Sequence, residues 1–257
     1  MKEPPASEPL FVGQSILVYD QYRGGYSEAS ISYIRSQVQL SSSSVMLDLA
    51  CGTGLVLREF VSDVYYLYGL DRSFDMLLKA REMYPHRARL VQGRGEALPF
   101  PAALFDLVTI GQAIHWFDLS RLVPELARVM KPGCWLAIIS KYPSPHEPYR
   151  SLYESLLERR APTGAGQLTA AQAVGNVLGL ERYGFEDYRR KVFPWEMTRP
   201  VESYLNGVAA GAEVQTLSDA DRAAFLQEFE RAVQQYAPDG VVRELYFDYV
   251  IMVRRTA

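Results

Sequence analysis

VMLDLACGTGLVL, from Val45 to Leu57, is the part of the chain around which its architecture is predicted. Its opening residues are apolar except for Asp48, a pattern typical of a strand covered on both faces in a parallel sheet. Gly52 and Gly54 follow, and glycine allows the backbone to turn sharply and to approach a ligand closely. These residues therefore predict a buried strand, a glycine turn and the beginning of a helix.

A second apolar run ends in an acidic residue. Residues 64–70 predict a strand, and Asp71 follows it, seventeen positions after Gly54. In nucleotide-binding α/β folds, a carboxylate at the end of the second strand, about 20 residues past the glycines, binds the ribose hydroxyls. The spacing therefore predicts a nucleoside-containing cofactor in a Rossmann-like domain.

Strands alternate with helices through residue 140, which predicts a mostly parallel sheet with right-handed crossovers. In this part we predict strands at 45–49, 64–71, 89–92, 105–110 and 134–140, and helices at 31–38, 55–61, 74–83 and 118–130. Ser73, and Asp118 or Ser120, are the expected N-caps. Beyond residue 140 the pattern is looser, and we predict helices at 149–160, 167–183, 201–211 and 220–236 and strands at 185–195 and 245–254.

Composition narrows the class of protein. Of the 257 residues, 48% are hydrophobic, which is enough for a large core, and the net charge of −3 gives no sign of a polyanion partner. Cys51 and Cys134 are too few for a disulfide framework or a zinc cluster, so we expect small core residues. No run reaches the ~18 apolar residues of a membrane span, and the N-terminus lacks a signal core. We expect a cytoplasmic protein without membrane contact.

The glycine pattern argues against a dinucleotide. Dinucleotide-binding turns carry a third glycine, and Leu57 stands in its place here. Asp48 is also poorly suited to face a pyrophosphate, because both are negatively charged. It suits a cationic ligand better, such as an α-ammonium group or a sulfonium.

DLACGTG, residues 48–54, resembles the D-x-x-x-G-x-G signature of class I S-adenosylmethionine-dependent methyltransferases. GLDRSFDML at 69–77 resembles the second-strand acid and following helix of that family. Residues 93–133 resemble the small-molecule branch that includes trans-aconitate-methyltransferase-like proteins, and YDQYRGGY at 19–26 resembles the N-terminal Tyr-x-x-Tyr-Arg segment of that branch. The resemblance covers residues 16–141. It implies S-adenosyl-L-methionine as cofactor and an α/β fold, a Rossmann-like, doubly wound, mostly parallel seven-stranded sheet with its last strand antiparallel.

The composition of the N-terminus and the same resemblance together predict how the chain is divided. Residues 1–15 are expected to be a flexible N-terminus, and 16–257 a methyltransferase domain. Within it, residues 16–40 form an N-terminal cap segment, and residues 199–240 form a helical lid inserted between the last two strands.

Position by position, the resemblance implies a set of cofactor contacts. The backbone cradles the methionine end around Asp48, Ala50, Gly52, Thr53 and Gly54, with Gln112 nearby. Asp71 accepts hydrogen bonds from both ribose hydroxyls, since a carboxylate has two acceptor oxygens. The adenine is flanked by Arg72 and Met76 and read at its edge by Gly95, Glu96 and Ala97. Met76 fits a purely packing role equally well, and Glu96 also fits a solvated loop charge.

The N-terminal tyrosines recur at spacings of three and four. They fit either one face of a helix or a segment that closes over the site. We expect Tyr22 and Arg23 to contact the cofactor, and Tyr19 and Tyr26 to contact the substrate. Arg23 is suited to bind a carboxylate of either molecule, and a surface role fits it as well.

His115, just past the fourth strand, is the candidate catalytic residue. Its imidazole titrates near neutral pH and could accept a proton from the nucleophile, although a structural role in the rim fits it too. Trp116 and Trp195 are the remaining substrate-binding candidates, alongside His115 itself. Because GQAI stands where base-methylating enzymes carry Asn/Asp-Pro-Pro-aromatic, and no basic stripe exists, we expect no nucleic-acid substrate. Clustered metal ligands are not evident, so we expect no metal.

These features predict a methyltransferase that acts on a small molecule, either a carboxylic acid or a secondary metabolite. A second hypothesis keeps the cofactor but not the methyl transfer, because this fold can host cyclisation chemistry. A third is a non-catalytic binding module, against which the intact glycines and Asp71 argue. The acceptor atom and the oligomeric state stay open.

Overall fold

A computed structural model describes residues 24–84, 86–160 and 180–256. In chain order the elements are α1 (Glu28–Gln37), β1 (Val45–Leu49), α2 (Leu57–Phe60), β2 (Tyr66–Asp71), α3 (Phe74–Met83), β3 (Ala88–Gln92), β4 (Phe105–Gly111), a 3₁₀ turn (Ile114–Trp116), α4 (Leu119–Val129), β5 (Met130–Pro143), α5 (Pro148–Arg160), a second 3₁₀ turn (Leu180–Tyr183), β6 (Phe185–Pro200), α6 (Val201–Ala209), α7 (Ala212–Gln215), α8 (Asp219–Tyr236) and β7 (Val241–Arg255).

The strands form one seven-stranded sheet in the order β3-β2-β1-β4-β5-β7-β6. The pairings from β3 to β5 are parallel, whereas β7 runs antiparallel to both β5 and β6. The predicted fold class is therefore confirmed. The chain order reverses between β1 and β4, and in open α/β sheets the carboxyl ends of the strands at such a switch point form a crevice for ligands.

Both faces of the central strands are covered, as the apolar run of β1 predicts. Met46 packs on one face with residues of α1 and α2, such as Ile34 and Phe60. Leu47 lies in the core on the other face, together with Leu126 of α4. This double cover is the reason that β1 shows no polar alternation.

The helices beyond β5 have a hydrophobic core of their own. Phe225 and Phe229 of α8 stack with ring centroids 5.7 Å apart. Tyr153 of α5 packs edge-on against both rings, and Tyr204 of α6 packs against Phe229. The helices between β6 and β7 therefore pack together with α5, which precedes β6, into one helical layer.

Several element boundaries differ from the predictions. Helix α1 begins at Glu28, because the Ser27 side chain caps it by accepting a hydrogen bond from the Ser30 backbone N–H. Tyr26 thus precedes the helix and does not belong to a helical face. Residues 167–179 of one predicted helix lie outside the described residues, and the remainder, Leu180–Tyr183, forms a 3₁₀ turn.

The last three strands are longer than predicted. Strands β6 and β7 pair from Phe185 with Arg255 to Pro200 with Val241. Such a ribbon is held by backbone hydrogen bonds and does not require an apolar run, so hydrophobicity alone underestimates its length. None of the helices in the described part of the chain has the length and apolar composition of a membrane span.

Candidate functional site

A cleft opens at the carboxyl ends of β1 and β4. Its empty space, including the part open to solvent, is about 350 Å³, and it is lined by Tyr26, Asp48, Ala50, Cys51, Gly52, Thr53, Leu55, Val56, Gly111 and Gln112. The lining includes five of the residues predicted to hold a cofactor, which are Asp48, Ala50, Gly52, Thr53 and Gln112. The glycine turn therefore forms one wall of this cleft.

The turn after β1 has an unusual backbone. Ala50, Gly52 and Gly54 have φ values of 55°, 54° and 93°, in the left-handed region that glycine favours. A Cβ on Gly52 would meet no atom within 4 Å, so this position is open towards the cleft. A Cβ on Gly54 would lie 2.7 Å from the Tyr84 ring, so only glycine fits there. The first glycine leaves room for a ligand and the second allows close packing.

Asp71 is 9% exposed and holds the glycine turn against the end of β2. Its Oδ2 accepts a hydrogen bond from the Gly52 backbone N–H at 2.8 Å, and its Oδ1 accepts one from the Ser73 N–H, also at 2.8 Å. Burial raises the pKa of the Asp71 carboxyl, and these hydrogen bonds oppose the rise. Because a carboxylate oxygen can accept two hydrogen bonds, both oxygens keep capacity for ligand hydroxyls.

Asp48 lies deeper, at 1% exposure. Its Oδ1 accepts a hydrogen bond from the Thr109 hydroxyl at 2.7 Å, whereas Oδ2 has no hydrogen-bond partner among the described residues. Burial raises the pKa of Asp48 to about 7; the Thr109 hydrogen bond opposes this rise and the charge of Asp71 adds to it. A buried acceptor left unpaired in a cleft wall is costly by about 1–3 kcal/mol, so it favours a ligand that brings a donor or a positive charge.

The residues predicted at the adenine end do not line this cleft. Met76 is buried on α3, and Arg72 is exposed. Gly95 packs against the Phe117 ring, since a Cβ there would lie 2.6 Å from it. The Glu96 carboxylate accepts a hydrogen bond from the Asp118 N–H at 3.1 Å. Glu96 is thus engaged at the N-terminus of α4 and is not a free loop charge.

His115 and Trp116 lie together on the 3₁₀ turn after β4, with ring centroids 4.8 Å apart. His115 is partly buried. Trp116 is 61% exposed, so it is not a core residue. Neither ring lines the cleft around Gly52, although their 3₁₀ turn follows β4, whose end forms part of that cleft.

The remaining predicted residues are dispersed. Tyr26 lines the cleft, whereas Tyr19, Tyr22 and Arg23 lie outside the described residues. Trp195 is on β6, where its Nε1–H donates a hydrogen bond to Asp248 at 2.9 Å. Trp195 therefore packs between strands and is not part of the cleft lining.

The sequence reasoning missed several residues at or near the cleft, namely Thr109, Gly111, Lys141 and Asp248. A polar residue within an apolar strand is the signal that could have found them, as in LVTIG for Thr109 and YFDYVIMV for Asp248.

Cys51 is a buried free thiol in the turn, and Cys134 is partly buried and free, in line with their predicted structural roles. Within the described residues, no three His, Cys, Asp or Glu side chains are grouped as a metal site.

Comparison with known proteins agrees with this geometry. Residues 47–138 match the sequence family described as "Methyltransferase domain". An uncharacterized methyltransferase of Mycobacterium tuberculosis is 29% identical over 130 residues, which is 51% of this chain and 51% of that protein. A demethylmenaquinone methyltransferase of Shouchella clausii is 32% identical over 142 residues, 52% of this chain and 60% of the relative. This chain thus spans about half the length of the first of these relatives.

The fold is similar to that of a protein of Anaeromyxobacter dehalogenans described as a type II methyltransferase. The TM-score is 0.67 at 20% identity, and the match covers 91% of this chain and 98% of the other. At this identity the likeness concerns the fold. Residues 47–138 therefore match a methyltransferase-domain family in sequence, and the described chain is similar in fold to a solved protein of Rossmann-like architecture.

Proposed function

We propose that this chain is an S-adenosyl-L-methionine-dependent methyltransferase that acts on a small molecule. One arrangement carries the proposal: the unpaired Oδ2 of Asp48 and the hydrogen-bonded carboxylate of Asp71 lie on either side of the Gly52 turn. A buried anion suits the cationic methionine end of this cofactor, and a carboxylate at the end of β2, bonded to the glycine turn, suits its ribose.

The chain fits the rest of the cofactor as well. The open position at Gly52 allows the backbone to approach the ligand closely, as a side chain there would not. Gln112 has a φ of 55° and lies in the cleft at the end of β4, beside the expected methionine end. Arg72 and Met76, next to Asp71, are proposed neighbours of the adenine. When bound, the cofactor supplies an electrophilic methyl group on a sulfonium.

The residues of this chain contribute mainly by holding the reactants in line. Fixing two reactants in a productive geometry lowers a barrier by up to about 7–11 kcal/mol, which is more than a single general base contributes. Where the nucleophile carries a proton, His115 on the rim is the proposed group that accepts it. The substrate determines which atom accepts the methyl group and which atom gives its proton to His115.

The substrate is proposed to enter between the rim and the helical layer. We infer that residues 16–40, of which 16–23 lie outside the described residues, form a cap and residues 199–240 a lid over the site, because Tyr26 already lines the cleft and α6 to α8 lie between β6 and β7. A small-molecule acceptor is supported by the demethylmenaquinone methyltransferase among the relatives. A carboxylic acid such as trans-aconitate is the second acceptor class to test.

The deciding experiment combines binding with product analysis. Calorimetry should show that the chain binds S-adenosylhomocysteine. Incubation with methyl-labelled S-adenosylmethionine and either demethylmenaquinone or trans-aconitate should yield S-adenosylhomocysteine and a labelled acceptor. Formation of methylthioadenosine without a labelled acceptor would instead identify cyclisation chemistry. Absence of binding to either cofactor form at millimolar concentration would overturn the proposal.

A further inference from the structure

Two opposite charges face each other on the antiparallel pair β5 and β7. Lys141 and Asp248 are direct partners in the register of this pair, so their side chains lie on the same face of the sheet. Against that face lie the turn at residues 24–27, which leads into α1, and the first residues of α1. Both charges are buried, with Lys141 7% and Asp248 0% exposed.

Lys141 binds the carbonyl side of this turn. Its Nζ donates hydrogen bonds to the carbonyl oxygens of Gly24 and Gly25 at 3.1 and 2.9 Å. The ammonium group also lies 5.7 Å from the centre of the Tyr26 ring and 6.0 Å from that of Trp195, within the range of cation–π attraction. The cation therefore fixes the backbone immediately before Tyr26.

Asp248 binds the amide side of the same turn. Its Oδ2 accepts a hydrogen bond from the Ser27 N–H at 2.7 Å and lies 2.8 Å from the Ser30 hydroxyl oxygen. Its Oδ1 accepts the Trp195 Nε1–H. A carboxylate at the N-terminus of α1 is also favoured by the helix dipole. The anion therefore fixes the backbone immediately after Tyr26.

Tyr26, between these two anchors, reaches the cofactor cleft. A Cβ on Gly111 would lie 2.8 Å from the Tyr26 hydroxyl oxygen, so this hydroxyl rests against the end of β4. The Lys141 carbonyl oxygen accepts a hydrogen bond from Gln112 Nε2 at 2.6 Å, and Gln112 also lines the cleft. The two anchors and the cleft wall are thus one connected unit.

We propose that Lys141 and Asp248 are positioning residues that hold Tyr26 in the wall of the cofactor cleft and thereby slow the escape of the bound cofactor. Burying a charge costs free energy unless its hydrogen bonds are satisfied. Here Lys141 donates hydrogen bonds to one short backbone segment and Asp248 accepts them from the same segment. Apolar side chains in place of Lys141 and Asp248 could fill the same space, but they could not hydrogen-bond the backbone of the turn and so could not fix its position. The inference rests on the proposed function, because the ligand retained is S-adenosylmethionine or its product.

The test compares dissociation of S-adenosylhomocysteine from the immobilised full chain by surface plasmon resonance. Lys141→Met and Asp248→Asn are each expected to raise the dissociation rate at least about tenfold, as is Tyr26→Ala. Lys131→Met is the matched control: it removes a lysine on the same strand, ion-paired with Asp106 at the opposite end, and should stay within about twofold of wild type.

A double-mutant cycle separates positioning from general destabilisation. If Lys141 acts through Tyr26, Lys141→Met adds little in the Tyr26→Ala background; independent effects multiply instead and overturn the proposal. Lys141→Arg keeps the hydrogen-bond donors and should restore slow dissociation in part.

Should Asp248→Asn fail to fold, Ser30→Ala tests the same anchor more gently, with an expected two- to threefold rise in the dissociation rate. If the wild type binds no S-adenosylhomocysteine, the proposed function fails as well; if it binds and Lys141→Met dissociates at the wild-type rate, only this inference fails.

Discussion

The carboxylate of Asp71 accepts a hydrogen bond from the backbone N–H of Gly52, nineteen positions earlier in the chain, at 2.8 Å. This bond joins the end of β2 to the turn after β1. The acid and the glycines, which the sequence shows as separate signals, therefore form one wall of the site. Substitutions in and around this wall have effects that binding and activity measurements can check.

Asp71→Asn should weaken the binding of S-adenosylhomocysteine by about 100-fold or more. The substitution removes the charge and one acceptor, and hydrogen bonds to a charged group contribute about 1.5–3 kcal/mol each. Calorimetry measures the loss, and circular dichroism checks the fold. Asp75→Asn, an exposed carboxylate on the next helix, is the control and should bind as the wild type does. Unchanged affinity in Asp71→Asn would contradict the assignment of the ribose site.

Binding of S-adenosylhomocysteine should tighten as the pH rises from about 6 to 8. The unliganded protein holds Asp48 with a pKa of about 7, and a cationic ammonium group favours the ionised carboxylate. Binding below pH 7 should therefore release up to one proton, which calorimetry in two buffers of different ionisation enthalpy detects. Asp48→Asn should bind more weakly and release no proton. Proton release of equal size in Asp48→Asn would place the titrating group elsewhere.

Asp48 should also make the unliganded protein less stable as the pH rises from about 4 to about 7. Its pKa is raised in the folded state, so in this window the folded chain binds a proton that the unfolded chain has lost. The free energy of unfolding then falls by at most about 1.4 kcal/mol per pH unit from this group and levels off above its folded pKa. Denaturant titrations of Asp48→Asn should lack this component, so the variant gains stability relative to wild type with rising pH. A difference that does not change with pH would argue that Asp48 ionises normally.

His115→Ala should lower kcat by about 100-fold or more with an acceptor whose nucleophile carries a proton, and should leave the affinity for S-adenosylhomocysteine within about twofold. General bases typically contribute 10²–10⁴ to the rate. His86→Ala, which removes an exposed histidine after α3, is the matched control. A modest loss that is the same at every pH would assign His115 to packing in the rim.

Gly111→Ala should reduce the affinity for S-adenosylhomocysteine by about tenfold. The added Cβ would lie 2.7 Å from Val56 Cγ2 and 2.8 Å from the Tyr26 hydroxyl oxygen, so two cleft residues must shift. Gly133→Ala is a useful comparison, because its Cβ meets nothing within 4 Å although its φ is +81°. It should cost about 1–2 kcal/mol of stability without altering binding. Equal affinities in both variants would mean that Tyr26 does not shape the cofactor site.

The sequence by itself determined the sheet class, the glycine turn, the position of Asp71 and the helix caps at Ser73 and Asp118. These features depend on residues close together in the chain: a buried run of one strand, the conformational freedom of glycine, or a side chain that reaches an N–H two or three residues on. Local rules are sufficient for them. The roles given to His115 and to the adenine-edge residues remain predictions.

Only the tertiary structure decided which distant residues complete the site. It paired Asp48 with Thr109 on a neighbouring strand, and it brought Asp248 to the N–H of Ser27 across 221 positions of sequence. It also left Trp116 exposed, although its hydrophobicity favours burial. The contacts of Asp48, Thr109 and Asp248 depend on strand order and register, because a shift of one residue in register would move such a side chain to the opposite face of the sheet. For this reason the glycine turn after β1 could be predicted from the sequence, whereas the contacts of Lys141 and Asp248 with residues 24–30 could not.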